Sequence, residues 1–200
     1  MQLKKEKRKN RIQDAAREDF LEYGFTKTSM RNIAKKAKIS TSNIYNYFES
    51  KEYLFYSLID PVHDKVKNLL FTLLETEKLL GENEFFKQIS DLLARPVGEI
   101  IKESPKELII LMDRSEGTKY ENFKENLIMT IESHFTESTV HQKTAIDNNS
   151  KSKFVMHIIA NNFLEGLLEL AKHYKSEEWV DSNIELLLKY HISGITGLFN

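Results

Sequence analysis

Cysteine is absent from this chain of 200 residues, and proline and glycine are scarce. The lack of cysteine excludes disulfides and thiolate metal sites, which fits a reducing compartment such as the cytoplasm. Three prolines and seven glycines leave few turn formers for a sheet, whereas Leu, Ile, Lys and Glu are abundant. Because these residues favour helices, the composition predicts an all-α protein.

Long hydrophobic runs are also absent. The longest uninterrupted aliphatic stretch is Leu108 to Met112, whereas a membrane-crossing helix needs about 20 apolar residues. The first ten residues are charged and contain no apolar core, so they do not resemble a secretory signal. We therefore expect a soluble cytoplasmic protein without a membrane partner.

The net charge of −1 conceals an uneven distribution of charge along the chain. Residues 1–51 contain 13 Lys and Arg against 6 Asp and Glu, and the remainder is acidic. Such an asymmetry is typical of a protein whose basic end binds a polyanion. Charge alone leaves a second interpretation open, a lysine-rich tail that is merely solvated.

Apolar residues recur at helical spacing along nearly the whole chain, and we predict about nine helices. Gly24 is predicted to end the first helix. Thr28 or Ser29 is predicted to cap the second helix, Ser40 the third and Ser50 the fourth. Later breaks fall at Gly81, at Gly117 and in a polar loop over 143–150, and Ser176 caps the last helix. The predicted helices cover 9–24, 29–37, 41–48, 51–80, 83–103, 105–114, 119–141, 151–174 and 177–198.

Two prolines lie inside predicted helices. Pro61 cannot donate a hydrogen bond to the carbonyl of Ser57, so we predict a kink or break at 57–61. We likewise expect the helix over 83–103 to be interrupted near Pro96.

The second and third helices are joined by a short corner at Lys38-Ile39, which is typical of a helix-turn-helix. On a helical wheel of 41–48, one arc is polar and uncharged, whereas Ile44 and Phe48 face the opposite side. Hydroxyl, amide and phenol groups at the start of such a helix can bind base edges and phosphates. The polar arc consists of Thr41, Ser42, Tyr45 and Asn46, and the nearby cations are Arg31, Lys35, Lys36 and Lys51.

These residues resemble the DNA-binding signature of the TetR family of bacterial transcriptional regulators. The resemblance covers about residues 10–60 and rests on Thr28-Ser29-Met30-Arg31-Asn32-Ile33-Ala34, Ile39-Ser40, Ile44-Tyr45-Asn46-Tyr47-Phe48 and Lys51-Glu52. It implies a three-helix DNA-binding domain at 1–52, followed by a helical ligand-binding and dimerisation domain at 53–200.

The resemblance also implies roles for individual residues. Tyr45, Tyr47, Thr28 and Lys51 would hold the DNA backbone, and Thr41, Ser42 and Asn46 would lie nearest the bases. For several of these residues a structural role is the alternative: Thr28 and Ser29 as helix caps, Tyr47 as a packing residue, and Arg31 as a solvated cation.

Two positions depart from the family pattern. The family often has glycine at the positions of Lys38 and Ser42. A lysine held at positive φ costs on the order of 1 kcal/mol. A serine where the backbone approaches DNA adds bulk and a donor, so its docking is expected to differ in detail.

The last two helices are apolar around more of their circumference than one core-facing stripe requires. The resemblance implies that the extra face meets a second copy, so that a two-fold dimer forms through helices 8 and 9. Gly166, Gly194 and Gly197 would allow close helix approach. The alternative is a thick monomeric core.

A ligand site is harder to predict from the sequence. The resemblance implies that a small effector, which the sequence does not identify, binds between the middle helices. Candidate lining residues are Arg114, Tyr120, His157 and Asn161. The alternative, which is the more common one, is that such residues are polar side chains of the core or an interface with their hydrogen bonds satisfied inside the protein. The six histidines form no His-x-x-x-His pair, so we expect no metal site and no cofactor.

We therefore expect a non-enzymatic, ligand-responsive transcriptional regulator. As a dimer it would bind double-stranded DNA at a pseudo-palindromic operator in the family's common role of repressor, and an effector would release it. One alternative is a helical metabolite-binding protein or enzyme with a non-functional DNA-binding segment, although no Gly-rich phosphate loop or catalytic motif is visible. Another is an architectural DNA binder without a ligand, whose binding would depend on salt but not on sequence.

Overall fold

The computed structural model describes residues 2–141 and 150–199, and these residues form helices joined by turns without any strand. This confirms the predicted all-α class and, for the described residues, the number of helices. In chain order they are α1 (Gln2–Lys27), α2 (Met30–Lys36), α3 (Thr41–Ile44), α4 (Lys51–Leu80), α5 (Glu82–Glu103), α6 (Pro105–Asp113), α7 (Phe123–His141), α8 (Ser150–Lys172) and α9 (Glu177–Phe199). The polar loop predicted at 143–150 lies outside the described residues, except for Ser150, where α8 begins.

The chain forms two compact units. The first contains the described residues of Met1–Lys65 together with Lys106–Phe123, and the second contains those of Val66–Pro105 and Lys124–Asn200. Residues 53–65 and 106–123 thus pack with the helix-turn-helix. The functional boundary expected between residues 52 and 53 stays a prediction, because compactness does not establish which unit performs which function.

Aromatic packing holds the first unit together. The ring of Phe55 lies 5.1 Å from that of Phe20 and 5.0 Å from that of Phe25, both edge to face. Phe20, Ile33 and Ile44 are inaccessible to solvent, which joins α1, α2 and α3 to the first turns of α4. Burying such side chains contributes about 1.5–3 kcal/mol each, so this core fixes the position of α3.

Gly24 interrupts α1 as predicted, because its φ of 75° and ψ of 170° are not helical. The hydroxyl of Ser29 then accepts a hydrogen bond from the backbone N–H of Asn32, and that of Ser50 accepts one from Tyr53. Ser50 is therefore the predicted cap of α4, and Ser29 is the one of the two candidates, Thr28 and Ser29, that caps α2.

The third helix is shorter than predicted. Its α-helical part is Thr41–Ile44, and residues 45–47 form turns. The backbone N–H groups of Asn46 and Tyr47 bond to carbonyls three residues earlier, at Asn43 and Ile44. The apolar positions Ile44 and Phe48 recur at helical spacing in either conformation, so periodicity did not distinguish the tighter turns from an α-helix.

Neither proline breaks its helix, so the predicted breaks at Pro61 and Pro96 were wrong. The helix α4 runs continuously through Pro61, and α5 runs continuously through Pro96. A proline inside a helix costs about 3 kcal/mol. The buried residues Ile59 and Val62 flank Pro61, and Val97 follows Pro96; their packing outweighs that cost. A kink that keeps the helical conformation at Pro61 stays a prediction.

In the second unit α5, α8 and α9 pack against one another. Val180, Ile184 and Leu188 lie on the buried face of α9, as their spacing predicted. Lys102 Nζ of α5 lies 2.8 Å from Asp181 Oδ1 of α9. The hydroxyl of Ser176 accepts a hydrogen bond from Trp179 N, which confirms the predicted cap of α9.

One helix of the second unit is long and apolar enough to cross a membrane by length and composition. It is the segment Lys153–Lys172, with a mean hydropathy of 1.2. The same segment contributes the buried residues Ala160, Leu164 and Leu168 to the packing of this unit. A helix that packs in the core of a soluble protein meets the same test, so the segment is weak support for a membrane span.

Candidate nucleic-acid interface

The polar arc predicted around α3 is exposed. Ile44 and Phe48 are buried, with 0% and 1% of their surface exposed to solvent. They anchor the segment and turn its other side to solvent. Tyr45 is 51% exposed even though it is a large aromatic residue. The exposed members of the arc are Thr41, Ser42, Tyr45 and Asn46.

Local hydrogen bonds orient this arc. The hydroxyl of Ser40 accepts from the backbone N–H of Asn43 at 3.3 Å and lies 3.1 Å from the hydroxyl of Ser42. The side-chain amide of Asn46 donates to Asn43 Oδ1 at 3.2 Å. This leaves the carbonyl oxygen of the Asn46 side chain and its second N–H for another partner, which is the donor–acceptor pair that an adenine edge requires.

Lys51 lies at the start of α4 and is half-buried. Its Nζ donates to the carbonyls of Phe25 and Thr28, at 2.8 Å and 3.1 Å, and lies 4.1 Å from the centre of the Phe25 ring. An ammonium group has three donors, so one is left for a phosphate. Lys51 thus ties α4 to the turn before α2, whatever else it binds.

Thr28 is buried, with 4% of its surface exposed. Its hydroxyl oxygen lies 3.0 Å from the carbonyl oxygen of Asp19 and 2.8 Å from that of Gly24, so its single proton is donated to one of them or shared between both. These contacts fit the alternative structural role better than a phosphate contact. A contact between this hydroxyl and DNA stays a prediction and would require the side chain to leave its internal acceptors.

The remaining predicted DNA contacts lie at the edge of the arc or beside it. Tyr47 is half-buried, Ser29 is half-buried and serves as the cap of α2, and Arg31 is exposed. Lys36 is engaged internally, because its Nζ lies 2.5 Å from Oδ1 of the buried Asp19. The hydrogen bond to that carboxylate raises the pKa of Lys36.

The corner between α2 and α3 contains Lys38, whose φ is 52°. This is the left-handed conformation expected where the family often has glycine. The backbone N–H of Ile39 bonds to the carbonyl of Ala34, which closes the end of α2. Lys38 therefore adopts the turn geometry with a side chain that disfavours it.

Two of the four candidate ligand-binding residues lie in the first unit and are engaged there. Arg114 is exposed, and its Nε donates to the carbonyl of Leu21 at 3.1 Å. Tyr120 is buried, with 7% of its surface exposed, and its hydroxyl donates to Asp60 Oδ1 at 2.6 Å. Burial and this hydrogen bond raise the pKa of Tyr120 to about 12.

The other two candidates lie in the second unit. His157 Nδ1 is 3.1 Å from Glu132 Oε2, and Asn161 is half-buried one turn further along α8. All four assignments stay predictions. Among the described residues no cluster of three or more metal-ligating side chains is present.

Two polar contacts of the first unit were missed by the sequence reasoning. One is the pair of Asp19 with Lys36, and the other joins Asp60 to Tyr120 and to Lys119, whose Nζ lies 3.1 Å from Asp60 Oδ1. The partners of Asp60 are about sixty residues further along the chain. No local pattern marks such pairs, since only the folding of the chain brings them together.

Comparison with known proteins fits this geometry. Residues 12–58 match the family described as bacterial regulatory proteins, tetR family. These residues include α2, α3, the corner at Lys38 and the start of α4. The segment is therefore a TetR-type helix-turn-helix domain.

Two curated relatives from Bacillus subtilis are similar to parts of this chain. The HTH-type transcriptional regulator YhgD is 26% identical over 51% of this chain and 63% of its own length. The HTH-type transcriptional regulator YdgC is 37% identical over 38% of this chain and 35% of its own length. The chain thus spans less than two thirds of either relative.

A solved structure extends the likeness of fold to almost the whole chain. It is NalD of Pseudomonas aeruginosa, described as the secondary repressor of the MexAB-OprM multidrug efflux pump. NalD is 21% identical, with a TM-score of 0.50 over 96% of both chains. The family match thus covers residues 12–58, and the likeness to NalD adds the fold of almost the whole chain.

Proposed function

We propose that this protein is a ligand-responsive transcriptional regulator that binds a pseudo-palindromic operator as a dimer. The observation that carries the proposal is the exposed, uncharged arc of α3 and the turn after it, anchored from behind by Ile44 and Phe48. A short polar segment held rigidly on a packed helix pair is suited to the major groove.

Different residues would have different tasks at this interface. Thr41, Ser42 and Asn46 would contact base edges, and Tyr45 would reach a base or a phosphate. Lys51 and Arg31 would contact phosphates, and the free backbone N–H groups at the start of α4 favour an anion in the same place. Ser29 and Tyr47 would add backbone contacts at the edge of the arc.

The dimer would form through α8 and α9, whose exposed apolar residues are not covered by the part of the chain that the structure describes. In this proposal an effector favours a conformer whose recognition segments no longer match the spacing of the half-sites, so that the operator is released. Repression is proposed because the NalD structure is described as that of a repressor.

The test is a titration of the purified protein against duplexes from the DNA upstream of its own gene, with random DNA as competitor. We expect tight binding to one pseudo-palindrome that survives the competitor. The change Asn46→Ala should weaken this binding about 10-fold to 100-fold, which corresponds to one lost base contact. The exposed Tyr174 of the second unit offers a control, and Tyr174→Phe should bind as the wild type does.

Two results would count against the proposal. Binding that ignores sequence and disappears with salt would indicate an architectural DNA binder instead. An unchanged operator affinity in Asn46→Ala and in Tyr45→Phe would show that the polar arc does not read the DNA.

A further inference from the structure

Most of the net positive charge in the first 51 residues lies before residue 12, where the family match begins. Residues 4–11 contain six Lys and Arg and one Glu, whereas residues 12–51 contain seven basic and five acidic residues. The polar arc of α3 itself carries no charge. The part that would read bases and the part that attracts a polyanion are thus separate in the sequence. We call residues Lys4–Arg11 the basic segment.

The basic segment is helical and its cations are sorted by face. It forms the first turns of α1. At 100° per residue, Lys4, Lys7, Arg8 and Arg11 share one stripe about 100° wide, and Glu6 faces away from it. Lys5 and Lys9 lie beside the stripe, about 100° from Lys4 and Arg8. All of these side chains are exposed.

Five of these cations have no ion-pair partner within the part of the chain that the structure describes. They are Lys4, Lys5, Lys7, Arg8 and Lys9. Lys36, in contrast, is paired with the buried Asp19. Five neighbouring like charges without ion-pair partners among the described residues repel one another, and a polyanion would remove that repulsion.

Arg11 shows which way the stripe faces. Its guanidinium donates to the carbonyl of Ala37, the last residue before Lys38 in the corner between α2 and α3. A surface hollow of about 460 Å³ is lined by Arg11 together with Lys36 and Lys38. The stripe therefore lies on the side of α1 that faces the corner leading into α3, within the same compact unit.

We propose that Lys4, Lys7 and Arg8 bind the phosphates of DNA that flanks the half-site read by α3. At 1.5 Å per residue the basic segment is about 10 Å long, which spans about three phosphates of one strand. An anionic membrane is a poorer partner, because the segment has no apolar residue that would enter the lipid boundary. This inference rests on the proposed function, because it assigns the basic segment to the DNA on either side of the proposed operator half-site.

The test compares two double variants that remove the same charge from different faces of one helix. Lys4→Gln with Arg8→Gln removes two cations of the stripe, and Lys5→Gln with Lys9→Gln removes two cations beside it. The measurement is the dependence of the dissociation constant on salt concentration. Each lost phosphate contact lowers the slope of the logarithmic plot by about 1. Two cations are lost from each protomer, so we expect a decrease of about 4 for the dimer of the stripe variant and less than half of that for its control.

The duplex for this test is the one that wild-type protein binds most tightly. It is prepared in two lengths, one trimmed to the pseudo-palindrome and one extended on both sides by random sequence. Flanks should strengthen DNA binding by wild type and by the control, and should strengthen it much less for the stripe variant, which keeps only Lys7 of the three proposed contacts. The ratio of specific to random binding should be the same in all three proteins, because phosphate contacts do not read sequence.

Two results would overturn the inference if wild type still binds its operator. One is the same salt slope in wild type and the stripe variant, and the other is an equal decrease of the slope in the stripe variant and its control. Failure of the proposed function is a different result, in which wild type prefers no duplex. In that case the same variants on random duplexes still decide whether the stripe binds phosphates. Circular dichroism of all three proteins should coincide, since the exchanged side chains are exposed.

Discussion

Lys38 is a single residue whose backbone conformation conflicts with its side chain. Its φ of 52° lies in the left-handed region, where a Cβ atom crowds the neighbouring carbonyl oxygen. The sequence identified this position because the corner needs such a conformation and the family often has glycine there. The packing of α2 against α3 must therefore compensate for a local cost.

Replacing Lys38 by glycine should stabilise the protein. We expect Lys38→Gly to raise the free energy of unfolding by about 1 kcal/mol, because glycine adopts this conformation without the steric cost. The measurement is urea-induced unfolding followed by circular dichroism. Lys38→Ala is the matched control: it removes the same charge but keeps the Cβ atom. A gain of equal size in Lys38→Ala would show that charge, not backbone conformation, limits stability here.

At the scale of elements, α4 is held to the turn that follows α6 by a small polar and aromatic cluster. Asp60 of α4 accepts from the hydroxyl of Tyr120 and pairs with Lys119. Lys119 Nζ lies 4.4 Å from the centre of the Tyr56 ring, and the His63 ring lies 4.5 Å from that of Tyr120. The cluster joins residues 118–123 to the first half of α4 inside the first unit.

This cluster should make stability depend on pH in the alkaline range. The pKa of Tyr120 is raised from 10.0 to about 12, so the folded state favours the protonated phenol. Its stabilisation is complete below about pH 10 and is lost as the pH rises towards 12. We expect Tyr120→Phe to cost about 1 kcal/mol at neutral pH, from one lost hydrogen bond, and the difference from wild type to shrink between pH 10 and 12.

The measurement is the free energy of unfolding of wild type and Tyr120→Phe as a function of pH. Asp60→Asn provides the control, because it keeps a hydrogen-bond acceptor but removes the charge that helps to raise the pKa. In that variant Tyr120 should titrate closer to 10. A constant difference between wild type and Tyr120→Phe across the alkaline range would contradict the assigned cause.

For the molecule as a whole, the uncovered apolar surface of α8 and α9 is the main unsatisfied feature of the second unit. On α9, Leu186 is 67% exposed and Tyr190 is 72% exposed, one turn apart. Gly194 follows on the same side and has open space around it. On α8, Phe154 and Ile158 are exposed at the same spacing. Apolar surface of this kind is typical of an interface between protein copies.

A dimer through these helices makes a clear prediction. Leu186→Glu combined with Tyr190→Glu should convert the protein to a monomer in light scattering, because two copies would then bury like charges against each other. Operator affinity should fall at the same time, since each half-site would be bound independently. Leu79→Glu is the control, because Leu79 is an apolar residue that is 85% exposed and belongs to α4. If light scattering gave the same mass for wild type and the double variant, the dimer interface would lie elsewhere or the protein would not be a dimer.

The sequence by itself determined the helical class, the caps at Ser50 and Ser176 and the inward side of α3. Each depends on local steric limits or on a repeat of three to four residues, so neighbours in the chain suffice. It did not determine that α4 and α5 continue through Pro61 and Pro96, because that depends on how much packing compensates for a lost hydrogen bond. Nor did it locate the pairs of Asp19 with Lys36 and of Asp60 with Tyr120. Those depend on distances between residues far apart in the chain, which only the tertiary structure decides.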